Sequence, residues 1–313
     1  MVSKAVRVEY RGRVSSVVPL GIHTANDSQF DEPDFVSDYN QQETGDASEQ
    51  PRRDKYIDRA KEQLLIFFEA NSESLFYQRQ LLVMFEDDFF HWITTRALTE
   101  LVSEQKLSSE TELLPQGTAT PSGFITLYRA NSYRYWKREA AEIAKLVAAF
   151  SSPDFTSALG SHGELMFDAA LPTVGFLPRG RNIQAYNGFN WNESRHDLDR
   201  VFERDGIAYG TEIKNKLGYI EKQELDIKLK MCRMLKLRPL FIMRMAPKSY
   251  IDLIRQSGGF ALIFKFQLYP LGQKALADEV RTRLRLPTDT PSRVADGTVQ
   301  RFLKWHKRSL LGG

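Results

Sequence analysis

The sequence predicts a multi-domain protein of mixed α/β (α+β) class, and three observations lead there. Its 313 residues exceed the usual size of one domain. In the second half, helical periodicity alternates with short apolar runs bounded by turns, the pattern of helices covering a sheet. In the first half, three helical stripes precede two extended arms.

In chain order, residues 1–53 read as a tail. Val6 to Ile22 has β-branched residues enough for a short hairpin, and Thr24 to Pro51 is polar and acidic, the composition of a linker. Residues 54–132 hold the first domain. Helices are expected from Asp54 to Glu69, from Phe76 to Phe85 and from His91 to Gln105, the last with an apolar stripe of Trp92, Ile93, Ala97, Leu98, Leu101 and Val102. Two arms, L-S-S-E-T-E-L-L and F-I-T-L-Y-R, flank a turn-rich Pro115–Gly123. Residues 133–154 contain a connecting helix, Tyr133 to Phe150.

The second domain covers 155–275: a helix (Phe155 to Leu171), an irregular basic segment (Phe176 to Asn192), a hairpin (His196 to Asn215), a helix (Glu221 to Leu237), strand P-L-F-I-M-R-M, a helix (Pro247 to Gln256) and strand F-A-L-I-F-K-F. A helix from Gly272 to Leu284 leads into a helical extension, 276–313, with a basic helix from Gln300 to Ser309.

The hairpin carries the chemistry. Asp205-Gly206 is a strong two-residue turn signal, because both central positions of a type I′ turn need φ > 0. With that turn, Asp199 faces Glu212 and Asp197 faces Lys214, and all four share one sheet face. Opposed carboxylates repel across a sheet, and a divalent cation between them turns the repulsion into binding.

D-x-D…E-I-K, with Asp199 and Glu212 thirteen positions apart, resembles the PD-(D/E)xK nuclease superfamily. S-H-G-E-L-M-F-D-A-A-L-P-T-V-G-F resembles its first core helix, and the helix and apolar strand after E-I-K extend the likeness over Phe155 to Tyr269. Leu198 stands where the superfamily's proline is named. The resemblance implies a restriction-endonuclease-like mixed sheet and a centre for Mg²⁺ or Mn²⁺. Its ligands would be Asp199, Glu212, Glu164 and the Ile213 carbonyl, with Lys214 at the attacking water or phosphate and Asp197 as an accessory. His162 and His196 flank this region and read as structural histidines, and Cys232 as a buried mid-helix residue.

The order of three helices and two arms resembles a winged helix-turn-helix, which implies DNA contact by His91, Thr94, Thr95 and Arg96. Asp87 and Asp88 beside that helix work against such contact. Arg134, Lys137, Arg138, Arg179 and Arg181 are further phosphate candidates, and Gln223 and Lys228 on the helix after the hairpin are placed to contact either the DNA backbone or the site.

Composition narrows the alternatives. A net charge of +3 is compatible with a nucleic-acid partner without pointing to one. One cysteine excludes an intrachain disulfide or a cysteine-based zinc site and suits a reducing compartment. No apolar run reaches membrane-spanning length and no secretory apolar core opens the chain, so an intracellular, cytoplasmic protein is expected. No G-x-x-x-x-G-K-[ST] loop, G-x-S-x-G elbow or H-E-x-x-H is present. The expected function is a Mg²⁺/Mn²⁺-dependent DNA endonuclease, with RNA open as substrate, acting in transposition, defence or repair. A targeting partner and a homodimer fit this reading. The competing expectations are an inactive nuclease-fold DNA-binding protein and a protein adaptor.

Overall fold

The computed structural model describes residues 9–10, 13–14, 54–114 and 123–311. The Thr24–Pro51 linker and the turn at 115–122 lie outside the described residues. Strands β1 (Glu9–Tyr10) and β2 (Arg13–Val14) pair antiparallel, within the expected hairpin region.

The first helical unit contains α1 (Lys55–Ala70), β3 (Leu75–Tyr77), α2 (Gln78–Met84), α3 (His91–Ser103), β4 (Leu107–Leu113) and β5 (Phe124–Ala130). Asp54 caps α1 by accepting from the Tyr56 N–H at 2.8 Å. The three strands form an antiparallel sheet in the order β3-β5-β4. The expected helix from Phe76 starts two residues later, because Leu75, Phe76 and Tyr77 pair with β5 and are all buried. Helix α4 (Lys137–Phe150) begins at Lys137 rather than Tyr133.

The second unit is built on a five-stranded mixed sheet in the order β12-β11-β10-β9-β6. Its strands are β6 (Leu177–Ile183), β9 (Leu198–Arg204), β10 (Ile207–Lys214), β11 (Arg238–Met243) and β12 (Phe260–Ile263). Strands β10, β11 and β12 run parallel, while β9 is antiparallel to both β10 and β6. Two short strands, β7 (Ala185–Tyr186) and β8 (Phe189–Asn190), make a satellite hairpin. The segment expected to be irregular, Phe176–Asn192, is thus an edge strand plus this hairpin. Its exposed edge position explains the lack of an apolar pattern, and Pro178 sits at the bulge of that edge.

Helices cover both faces of the sheet. On one side lie α5 (Pro153–Ala170) and α9 (Asp296–Leu311), whose Met166, Phe167 and Phe302 pack with Phe202, Tyr209, Leu240 and Ile242. On the other side lie α6 (Lys222–Met234) and α7 (Lys248–Gln256), where Leu225 and Ile254 meet Phe241 and Met243. Alternate residues of β11 therefore serve opposite cores, as a pleated strand buried on both faces requires. The basic helix expected near the end packs back. His306 Nε2 donates to Asp205 Oδ2 (3.0 Å) and its Nδ1 lies 2.7 Å from Tyr209 Oη, which fastens the β9–β10 turn to α9.

The two units share a core. Leu75, Tyr77 and Leu127 pack with α4 and with Val280 and Leu284 of α8 (Lys274–Leu284). The pair β13 (Gln267–Leu268) and β14 (Thr288–Asp289) closes this end. Among the described residues no helix is long and apolar enough to cross a membrane.

Gly163 sets how closely α5 approaches the end of β10. A Cβ there would stand 2.5 Å from the Asn215 Cβ. Asn215 is fixed on its other atoms: its Nδ2 donates to the carbonyls of Leu159 (2.7 Å) and Leu268 (2.8 Å). It has nowhere to move, so Gly163→Ala is expected to destabilise by about 1–3 kcal/mol despite alanine's better helix propensity. Urea denaturation checks this; a variant as stable as wild type would contradict the close approach.

Candidate active site at the beta hairpin

The hairpin forms in the register expected from its turn. Asp205 and Gly206 take φ of 52° and 74°, the two positive values of a type I′ turn. The ladder runs from Ile207↔Arg204 to Thr211↔Arg200. Beyond it, the Ile213 N–H donates to Asp199 Oδ2 at 2.6 Å, which holds that carboxylate beside Glu212.

Glu212 is the centre of the cluster. It is fully buried, with Lys214 Nζ 2.7 Å from Oε1 and Lys228 Nζ 2.6 Å from Oε2. Each buried oxygen thus meets one ammonium group, and a carboxylate oxygen has a further lone pair to offer. Lys214 also reaches Glu224 at 2.8 Å. Burial works against the Lys214 charge, but Glu212, Glu224 and Asp199 more than offset it and hold the ammonium above its ordinary value. Burial, and then the Glu212 charge, push the Asp199 carboxyl up to about 7. Two neighbouring carboxylates, one of them resisting ionisation, form a donor set suited to a hard cation. Among the described residues no group of three or more acidic, histidine or cysteine side chains is arranged to hold a metal.

Glu164 is engaged elsewhere. Arg200, almost fully buried, binds Glu164 Oε2 at 2.7 Å and Asp168 Oδ1 at 2.9 Å, and donates to the Asp199 carbonyl at 2.6 Å. Arg200 lies on the α5 side of the sheet, opposite Glu212, so Glu164 braces the strand instead of joining the carboxylate pair. Asp197 precedes β9, and the ladder does not reach it. The expected Asp197–Lys214 pairing is replaced by Lys214 on Glu212 and Glu224, while the Asp197 carbonyl accepts from Lys228.

The residues expected to touch nucleic acid divide. Thr94 is fully buried and His91 nearly so, because α3 turns that face inward with Ile93, Ala97 and Leu98; neither can read a groove. Burial, and secondarily Arg79, lower His91 to about 3. Thr95 is half-buried, and Arg96 is exposed and paired with Glu100. Arg134, Lys137 and Gln223 are exposed. Arg138 is exposed and pairs with Glu142, Arg179 with Glu203, and Arg181 with Asp168. Lys228 is buried against Glu212 and so is not a backbone contact. His162 is half-buried, its pKa lowered by burial; His196 Nδ1 lies 2.8 Å from Ser194 Oγ; Cys232 is buried.

Lys228 stands at the site, one of the two places expected for it, whereas Glu224 is a charged residue there that the sequence reading passes over. Glu224 and Lys228 are four apart on α6, one turn of one helix face, and that spacing was the available signal. Lys216, two residues past Lys214, is pushed down to about 8 by burial and by the Lys214 charge.

No protein-family model matches this chain, and no curated protein and no solved structure matches it.

Proposed function

We propose that this protein is a metal-dependent endonuclease that hydrolyses phosphodiester bonds in DNA. The observation that carries the reading is the grouping of Asp199, Glu212 and Lys214 around a buried carboxylate with unspent acceptor capacity. In this reading the sheet is restriction-endonuclease-like and the three-helix, three-stranded unit is a winged helix that positions substrate, alone or with a partner protein. Asp199, Glu212 and the Ile213 carbonyl would hold Mg²⁺ or Mn²⁺. The bound ion supplies an activated water and neutralises phosphate charge. Lys214, kept protonated by its carboxylate neighbours, orients the water or stabilises the pentavalent phosphorus. Glu224 holds Lys214 in place.

The test is cleavage of duplex, nicked, branched and single-stranded DNA by the full chain with each metal. Wild type is expected to cut at least one substrate, and Lys214→Ala and Asp199→Asn to lose at least a hundredfold in rate. Intact substrates throughout would overturn the reading. One observation favours a second one, a non-catalytic DNA-binding protein on the same scaffold: two ammonium groups already neutralise Glu212. It predicts DNA retention in chelator, unchanged by Glu212→Gln.

A further inference from the structure

Two lysines contact Glu212, and they differ in freedom. The Lys214 side chain is 22% exposed and has Glu224 as a second partner at 2.8 Å, so it can leave Glu212 without losing its countercharge. The Lys228 side chain is 5% exposed, sits 2.6 Å from Glu212 Oε2, and also donates to the Asp197 carbonyl. Its helix is held on the sheet by Leu225, Leu229 and Cys232. Withdrawing Lys228 from Glu212 would strand an ammonium in the interior, which is strongly unfavourable. A dication approaching Oε2 would meet a fixed positive charge at contact distance.

We propose that Lys228 is a built-in cation on Glu212 that limits the centre to one divalent ion, on the Asp199 side. The proposal rests on the metal-centre reading above and adds the stoichiometry. Lys228 occupies one oxygen of the shared carboxylate and leaves the other to Lys214, which would yield it to an incoming ion while keeping its existing contact with Glu224. Lys228 is a positioning residue: it acts through Glu212 and the Asp197 carbonyl.

The experiment is Mn²⁺ titration of the full chain without DNA, followed by calorimetry and by the electron paramagnetic resonance of free Mn²⁺. Wild type is expected to bind one Mn²⁺ per chain. Lys228→Met, which keeps the stem and removes the charge, is expected to bind a second ion or to hold the first at least tenfold tighter. Lys228→Gln is the milder variant should Lys228→Met fail to fold, and the wild-type count is independent of both. Two Mn²⁺ on wild type would overturn the proposal and leave the metal centre standing. An unchanged count and affinity in the folded variants would overturn the role of Lys228. Absence of Mn²⁺ binding to wild type would overturn the metal reading and this proposal with it.

Discussion

Glu86→Ala is expected to destabilise the protein by about 3–5 kcal/mol, the usual effect of stranding one member of a buried ion pair. Glu86, just after α2, and Arg244, just after β11, form a bidentate contact whose second arm is 2.6 Å, with side chains 9% and 3% exposed. Burial, and then the Asp87 charge, push the Glu86 carboxyl up, and burial pushes Arg244 down; the two-armed contact opposes both shifts. Arg244 also donates to the Leu217 carbonyl at 2.6 Å, three residues past Lys214. Nearby, the His91 N–H donates to Tyr219 Oη at 2.6 Å. Removing the carboxylate leaves a buried guanidinium holding the loop that follows the site. The double variant Glu86→Leu/Arg244→Met, which removes both charges, is expected to recover most of the loss. Urea denaturation of the three variants checks this; a loss below about 1 kcal/mol for Glu86→Ala would contradict it.

Asp199→Asn is expected to stabilise the metal-free protein by about 2 kcal/mol at neutral pH while abolishing its response to Mg²⁺. The sign follows from the raised carboxyl. Between the ordinary carboxylate range and about 7, the folded protein keeps a proton that the unfolded chain has released. The stability contributed by Asp199 is thus full at low pH and is lost as pH rises through that window. Asparagine never ionises, and its Oδ1 still accepts the Ile213 N–H, so the gap between variant and wild type widens from pH 4.5 to 8 in chelator. The full shift would exceed 2 kcal/mol; partial exposure of Asp199 discounts it. Under the metal reading, Mg²⁺ or Mn²⁺ closes the gap by stabilising only wild type. Denaturation curves with and without metal across that range decide both halves. A gap independent of pH would contradict the carboxylate assignment.

The hairpin was legible because Asp-Gly dictates a turn and the turn dictates a register; no long-range knowledge was needed. The same rule would have found β7–β8, where Asn187 and Gly188 take φ of 46° and 84°, but the basic residues around them hid the Asn-Gly signal. Strand β3 was missed because three apolar residues have no distinguishing period and its partner β5 lies some fifty positions on. Side-chain partnerships were the least legible. Glu164 has the right helix and the right chemistry for the carboxylate pair, yet Arg200 on the opposite sheet face claims it. The Glu86–Arg244 pair joins residues 158 positions apart, beyond any local pattern.

Helix α9 gives the molecule a sense of time. Its Phe302 stacks on Phe176 and Phe260, and its His306 touches both Tyr209 and the β9–β10 turn. Residues 296–311 leave the ribosome after every residue of the candidate site, so the sheet bearing Asp199, Glu212 and Lys214 gains this covering helix only once α9 has been made. A nascent or prematurely terminated chain would carry the hairpin on an uncovered apolar face.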